Sequence, residues 1–303
     1  MAWTKVCSLL RGAETNLLEC VPTYVHKVAA LNAANAWMMR NCAVLAGFRN
    51  DPRRAEELRS LADNVSRTVL KKLYVTGSKG GFFAAEQPDG RLVSVRHIID
   101  FISVATSIPA DLTPSQRSEM LGFVKRELLT EHWMRALSLS DGSLLHPSAN
   151  SDRKDHGPLG AYDGWPGETV EAFAALGDYA SALQLVQKMA AAYHDGPGGQ
   201  AHQVFTQGGR TLQPVAKAAA DQQWYELAGS VTANRIISAL FGVSPSLDEP
   251  GDDDIEHAAA PESFLRDAST PRGFNGSLSG VRIRGKLWTV HSTVAGLSIQ
   301  ASH

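Results

Sequence analysis

Apolar residues recur at intervals of three and four along most of this chain and alternate with polar ones only near its end. The first spacing marks amphipathic helices, the second half-buried strands. Val25, Val28, Ala29, Ala36, Met39 and Leu45 keep helical spacing between Thr23 and Phe48, with Pro22 ahead of them and Gly47 closing the run. Asp51-Pro52 then sets a capping carboxylate before a first-turn proline, which predicts a second helix striped by Leu58, Leu61, Val65, Val69 and Leu73. Two such helices joined by a few residues make an antiparallel helical hairpin.

The pattern changes after Gly77–Gly81. Phe82-Phe83-Ala84-Ala85 and Arg91–Val95 flank the turn residues Pro88-Asp89-Gly90, so a short β-hairpin is predicted between helices. His97–Ser107 is densely apolar and reads as a buried helix. Thr113-Pro114-Ser115-Gln116 is a capping box with proline at the first helical position, opening a helix that runs to Leu129. A helix over Pro166–Leu176 follows, ended by Gly177. Asp178 caps the next, which carries Ala182, Leu183, Val186, Met189 and Ala190. Asp195–Pro214 reads as a loop rich in Gly, Gln and His. Asp221 caps a last helix, with Trp224, Leu227, Ala228, Val231, Ile236 and Leu240 apolar, stopped by Gly242 and Pro245.

Composition shifts at Ser244. The division expected is a helical-hairpin domain over 1–243, an acidic linker or loop over 244–271 around Asp252-Asp253-Asp254, and a β segment over 272–303. In the last, Leu278, Val281 and Ile283, then Leu287 and Val290, then Leu297 and Ile299 alternate between glycine turns. Lys+Arg 29 against Asp+Glu 31 leaves no basic field for nucleic acid, and no polybasic run suggests a membrane surface. Cys7, Cys20 and Cys42 lack metal-site spacing and read as reduced, buried thiols. The opening residues are too weakly apolar for a secretory leader and no run reaches membrane-spanning length, so a soluble, cytoplasmic protein is expected.

Candidate chemistry concentrates in Asp152–Leu176, where acids and aromatic rings sit on Gly- and Pro-rich backbone ahead of a helix. The stretch supplies Asp155, His156, Tyr162, Asp163, Trp165 and Glu168. Carboxylates move protons and rings stack on sugar faces. Glu168 equally suits the helix macrodipole, and Asp163 a helix cap. Earlier, Glu19 lies among Leu17, Leu18 and Val21, where burial raises a carboxyl, unless Arg11 pairs with it. Tyr24 and His26 follow at a helix start. A third group is Asp195–His202, whose glycines lack the preceding strand and following lysine of a phosphate loop. Trp224-Tyr225-Glu226 is the fourth. No HExxH or paired-His spacing implies a metal, no G-x-S-x-G elbow implies a serine nucleophile, and no cofactor is called for.

Asp155–Pro166 reads D-H-G-P-L-G-A-Y-D-G-W-P, Gly196–His202 reads G-P-G-G-Q-A-H, Trp224–Ala228 reads W-Y-E-L-A, and Leu17–His26 reads L-L-E-C-V-P-T-Y-V-H. With Arg272–Thr289, these segments resemble the six-hairpin glycosidase-like superfamily, glycoside hydrolase-like proteins folded as (α/α)6 toroids. The resemblance implies a funnel at the inner ends of the hairpins, where one carboxylic acid protonates the leaving oxygen and another carboxylate activates water. It assigns Glu19 as acid and Asp163, Glu168 or Glu226 as base. Tyr24, His26, Asp155, His156, Tyr162, Trp165, His202 and Trp224 would bind hydroxyls or stack on the substrate.

The chain carries fewer long helices than a closed ring of six hairpins. The fold expected is therefore mainly α, an incomplete and N-terminally shortened toroid with a small antiparallel β segment. Its open apolar edge calls for cover by the β segment, by self-association or by a partner chain. The function implied is cleavage of a glycosidic bond in an oligosaccharide or glycoconjugate, with neither nucleic acid nor membrane as partner. The alternatives are a non-hydrolytic biosynthetic or lyase-type descendant, with His156 or Tyr162 moving protons, and a catalytically silent binding or assembly subunit.

Overall fold

Small residues let the first two helices lie close together. Helix α1 (Ala29–Phe48) and α2 (Pro52–Lys72) meet through Ala43, Ala46, Ala55 and Leu58, with Asp51 accepting from the Arg54 amide at 3.0 Å as the α2 cap. Ala55, Ala62, Val65, Ser66 and Val69 are the buried residues of α2. Leu61, predicted within the apolar stripe, is instead 51% exposed, because alanines fill the close contact. The structure, a computed structural model, describes residues 21, 23–131, 133–142, 164–195, 203–205, 212–214, 227–243, 265, 267–283 and 285–302.

Helix α1 begins at Ala29, later than the predicted Thr23. Residues before it are claimed by other bonds: Lys27 pairs its backbone with Glu86 in both directions, at 3.2 and 3.0 Å, and His26 takes a left-handed φ of 66°. The residue preceding α1, Val28, has no capping side chain. Asp100, seventy positions on in sequence, accepts from the Ala30 amide at 2.8 Å and supplies the cap from another helix.

Strands β1 (Tyr74–Val75), β2 (Phe82–Glu86) and β3 (Leu92–Val95) form an antiparallel sheet in that order. β2 and β3 are the predicted hairpin; β1 was not foreseen, being too short to show alternation. Gly81, at φ 89°, lets this sheet approach the next helical layer: a Cβ there would lie 2.0 Å from the Glu119 carbonyl oxygen. Helix α3 (Ile98–Ser107) is capped by His97, and α4 (Pro114–Phe123) by the expected capping box. The chain then makes one π-helical turn over Val124–Leu128.

Helices α5 (Gly164–Ala175), α6 (Tyr179–Asp195) and α7 (Leu227–Phe241) complete the helical part among the described residues. Packing follows a rule: α1 lies on α3, α3 on α5, and α5 on α7, while α2 returns along α1 and α6 along α5. The four helices of this series run in one direction. Ala30 meets Asp100, Trp165 meets His97, Gly167 meets Thr232 and Glu171 meets Arg235, each pair at matching levels of its helices. Their N-terminal ends therefore gather on one side. A single core joins them, with Phe101 of α3 edge-on to Phe173 of α5 at 5.7 Å.

Where a loop was predicted, β4 (Gln203–Phe205) and β5 (Leu212–Pro214) pair antiparallel. The expected C-terminal sheet is formed by β6 (Gly276–Ile283), β7 (Lys286–Thr293) and β8 (Gly296–Ala301), with Val290 opposite Leu278 and Ile299. Val290, Ile299 and Leu265 pack there with Phe241 and Val243 at the end of α7. Leu265 bridges Val243, and the Leu297 amide donates to Ala268, so the described end of the stretch 244–271 belongs to the packing of this sheet. The described residues are thus mixed in class, largely helical with small antiparallel sheets. Cys42 is an exposed free thiol, contrary to the burial expected, since it lies on the outer side of α1; Cys7 and Cys20 fall outside the described residues.

Candidate functional site

The side where α1, α3, α5 and α7 begin brings together three of the residues singled out from the sequence. Tyr24 lies just ahead of α1, fully buried, and its hydroxyl donates to Asp100 Oδ1 at 2.8 Å. The same oxygen accepts from the Ala30 amide, and Asp100 is only 2% exposed. Burial pushes the Asp100 carboxyl up to about 6, against the pull of the Tyr24 and Ala30 hydrogen bonds. Burial, and then the neighbouring Asp100, push the Tyr24 phenol well above its usual range. Tyr24 keeps its proton and braces the rim from beneath. It does not offer a surface to a ligand.

His97 caps α3 with its Nδ1, which accepts from the Ile99 amide at 3.1 Å. Its ring meets Trp165, in the first turn of α5, edge to face at 5.4 Å and 85°. Trp165 is half-buried and touches both the main core and the smaller cluster of Val21, Tyr24, Val28, Ala30, Ala85, Val95 and Leu137. It thus joins the ends of three helices.

Glu168 lies one turn further along α5 and is half-buried. Burial raises its carboxyl; Arg235 opposes that shift and Glu171 adds to it. The Arg235 guanidinium is engaged by Glu171 at 2.6 Å, with Ser238 at 3.5 Å from the same carboxylate. Among the described residues none donates a hydrogen bond to Glu168. Its position against α7 is set by Gly167, where a Cβ would lie 2.8 Å from Thr232 Cα. Only glycine permits that approach.

A separate set of charges buttresses the loop behind α3. Arg96 donates to Glu127 at 2.8 and 2.6 Å, Ser138 donates to the same carboxylate at 2.7 Å, and the Arg96 amide donates to buried Asp141 at 2.6 Å. Burial acts to raise Glu127, but Arg96, Ser138 and Arg126 outweigh it and hold the carboxyl below its ordinary range. This carboxylate favours its charged form and is committed to Arg96.

Of the other sequence candidates, His26 is exposed on the turn before Lys27. Glu19, Asp155, His156, Tyr162, Asp163, His202, Trp224 and Glu226 lie outside the described residues. Sequence reasoning missed His97 and Asp100. The signal was present, since Asp100 is the lone charge in the apolar run from Ile98 to Ser107 and sits three residues after a capping position. Among the described residues no group of three or more His, Cys, Asp or Glu could hold a metal ion, and no helix is long and apolar enough to cross a membrane. No protein-family model matches the chain, and no curated protein matches it.

Proposed function

We propose that the parallel series α1, α3, α5 and α7 is an arc of inner helices of an (α/α)6 toroid, and that the protein is a glycoside hydrolase-like enzyme acting on an oligosaccharide or glycoconjugate. The observation that carries this reading is Glu168: a carboxyl raised by burial, on the side where the inner helices begin, one turn from a half-buried tryptophan. A carboxyl that burial pushes upward favours its protonated form more than a free one and can pass that proton to a leaving glycosidic oxygen. The Trp165 ring offers an apolar face for a sugar.

This changes the roles implied by the resemblance. Glu168, grouped there with the bases, suits the proton donor better, and the water-activating carboxylate falls to Asp163 or Glu226. The lyase-type alternative rests on His156 and Tyr162, which lie outside the described residues; Tyr24, with its hydroxyl committed to Asp100, adds nothing to it. Neither nucleic acid nor membrane has a part in the reading.

The test is hydrolysis of a glycan panel by wild type and Glu168→Gln. Wild type is expected to release sugar from at least one member, and the variant to lose on the order of 100- to 10,000-fold in kcat. Turnover unchanged by the substitution removes Glu168 from the chemistry. A wild type inert to the whole panel removes the hydrolase reading.

A further inference from the structure

Among the described residues helix α1 ends the series of packed helices, and its outer side carries four of the five exposed large apolar side chains on the described helices. Trp37 and Met38 are each 52% exposed, Leu45 48% and Phe48 46%. At 100° per residue, Met38 and Leu45 lie one above the other two turns apart, and Trp37, Asn41 and Phe48 follow the adjoining line. The only charged residue in α1 is Arg40, and its guanidinium is taken by Asp111 at 2.7 and 2.8 Å and by Asp63 at 2.9 Å. The face therefore carries no charge to recognise an acidic or a basic partner. It matches an uncharged apolar surface like itself.

The order of residues on this face is also nearly the same read in either direction: aromatic, apolar, Asn41, Cys42, apolar, aromatic. We propose that this face is a homodimer interface in which α1 of one protomer packs antiparallel against α1 of a second copy about a two-fold axis near Asn41 and Cys42. Met38 then meets Leu45 of the other copy, and each Trp37 stands about 3 Å along the axis from the opposite Phe48. A two-fold interface of this kind must be self-complementary, and a palindromic apolar stripe satisfies that condition.

The area sets the strength. Half-exposed aromatic and aliphatic side chains contribute roughly 100 Å² each, so the four supply on the order of 400 Å² per protomer. With Ala34, Asn41 and Cys42 added, the total across the two copies reaches about 1,000 Å², the lower edge of specific association. The dimer is therefore weak and concentration-dependent.

Sedimentation velocity on the full chain over about two decades of micromolar concentration should show a monomer passing into a dimer. Met38→Glu and Leu45→Lys, both at exposed positions, are each expected to weaken association at least tenfold, with the thermal midpoint unchanged at concentrations where wild type is monomeric. The double variant is the decisive one, because the antiparallel register places the new carboxylate of each copy beside the new ammonium of the other. Association should recover in it. In a background of Cys7→Ser and Cys20→Ser, a short bismaleimide should join two copies through Cys42. A monomer at every concentration, dimerisation indifferent to both single variants, or no recovery in the double variant each overturns the proposal.

Discussion

Asp100 and Glu168 lie at the same end of the helical series, and burial raises both carboxyls, yet their surroundings are opposite. Asp100 is sealed, with the Tyr24 hydroxyl and the Ala30 amide both on Oδ1, and it joins the start of α1 to the first turn of α3. Glu168 is half-buried between α5 and α7, receives no hydrogen bond from the described residues, and sits beside a cation already taken by Glu171. A raised carboxyl alone does not mark a functional acid. What separates the two is whether the donors around the group are already satisfied. Asp100 holds the rim together, whereas Glu168 has hydrogen-bonding capacity left for a substrate.

The largest test of that contrast is Asp100→Ala. It leaves the Tyr24 hydroxyl and the Ala30 amide buried without their acceptor and removes the side-chain cap that the described residues supply to α1. A loss of about 3–5 kcal/mol is expected in urea denaturation. A loss below about 1 kcal/mol would mean that the Asp100 bonds do not brace the rim, and the contrast with Glu168 would collapse.

Next in size is the pH dependence. Asp100 has a folded value of about 6 against an ordinary 3.8, so its favourable contribution is complete below about 3.8 and is lost as pH rises through 6. At 1.36 kcal/mol per pKa unit the change is on the order of 3 kcal/mol. Glu86, Asp111, Glu119, Glu127 and Asp178 are all held below their ordinary values and act in the other direction, losing stability as pH falls. The difference between wild type and Asp100→Asn isolates the single group. Wild type should lose stability relative to the variant between pH 4 and 7, and a flat difference would contradict the shift.

How much of this could be read from the sequence depends on how far apart the interacting residues lie. The capping box at Thr113, the Asp51-Pro52 start of α2 and the Pro88-Asp89-Gly90 hairpin are set by neighbours within a few positions, and each was predicted where it stands. The start of α1 was not, because its cap is Asp100 and its competing bonds go to Glu86. In the site, Trp165 and Tyr24 were recognised as residue types of interest, but not that Tyr24 would be sealed against Asp100. A phenol at a helix start looks the same in sequence whether it faces a ligand or a buried carboxyl. The π-helical turn holding Glu127 left no mark either, since nothing local distinguishes it from the end of α4.

Gly167→Ala probes the other half of the comparison. The new Cβ would stand 2.7 Å from Thr232 Oγ1 and 2.8 Å from its Cα, so α5 and α7 must separate at the level of Glu168. A cost of about 1–3 kcal/mol is expected in the unfolding midpoint. Because the separation lets water reach Glu168, a bell-shaped hydrolysis profile should also shift its basic limb to lower pH. An unchanged midpoint would show that the two helices have room to spare.

The smallest expected change in stability is the sharpest test. Glu168→Gln replaces a carboxyl that burial keeps towards its neutral form with a neutral group of the same shape. Since the folded value is raised, ionisation works against the fold as pH rises, so at pH 7 the variant should be at least as stable as wild type. Stability kept while hydrolysis is lost is the pattern of a group whose work begins when substrate arrives. A destabilisation above about 2 kcal/mol would place Glu168 beside Asp100 as a brace. The arc would then keep two structural acids at its rim, and the proton donor would have to come from another helix end.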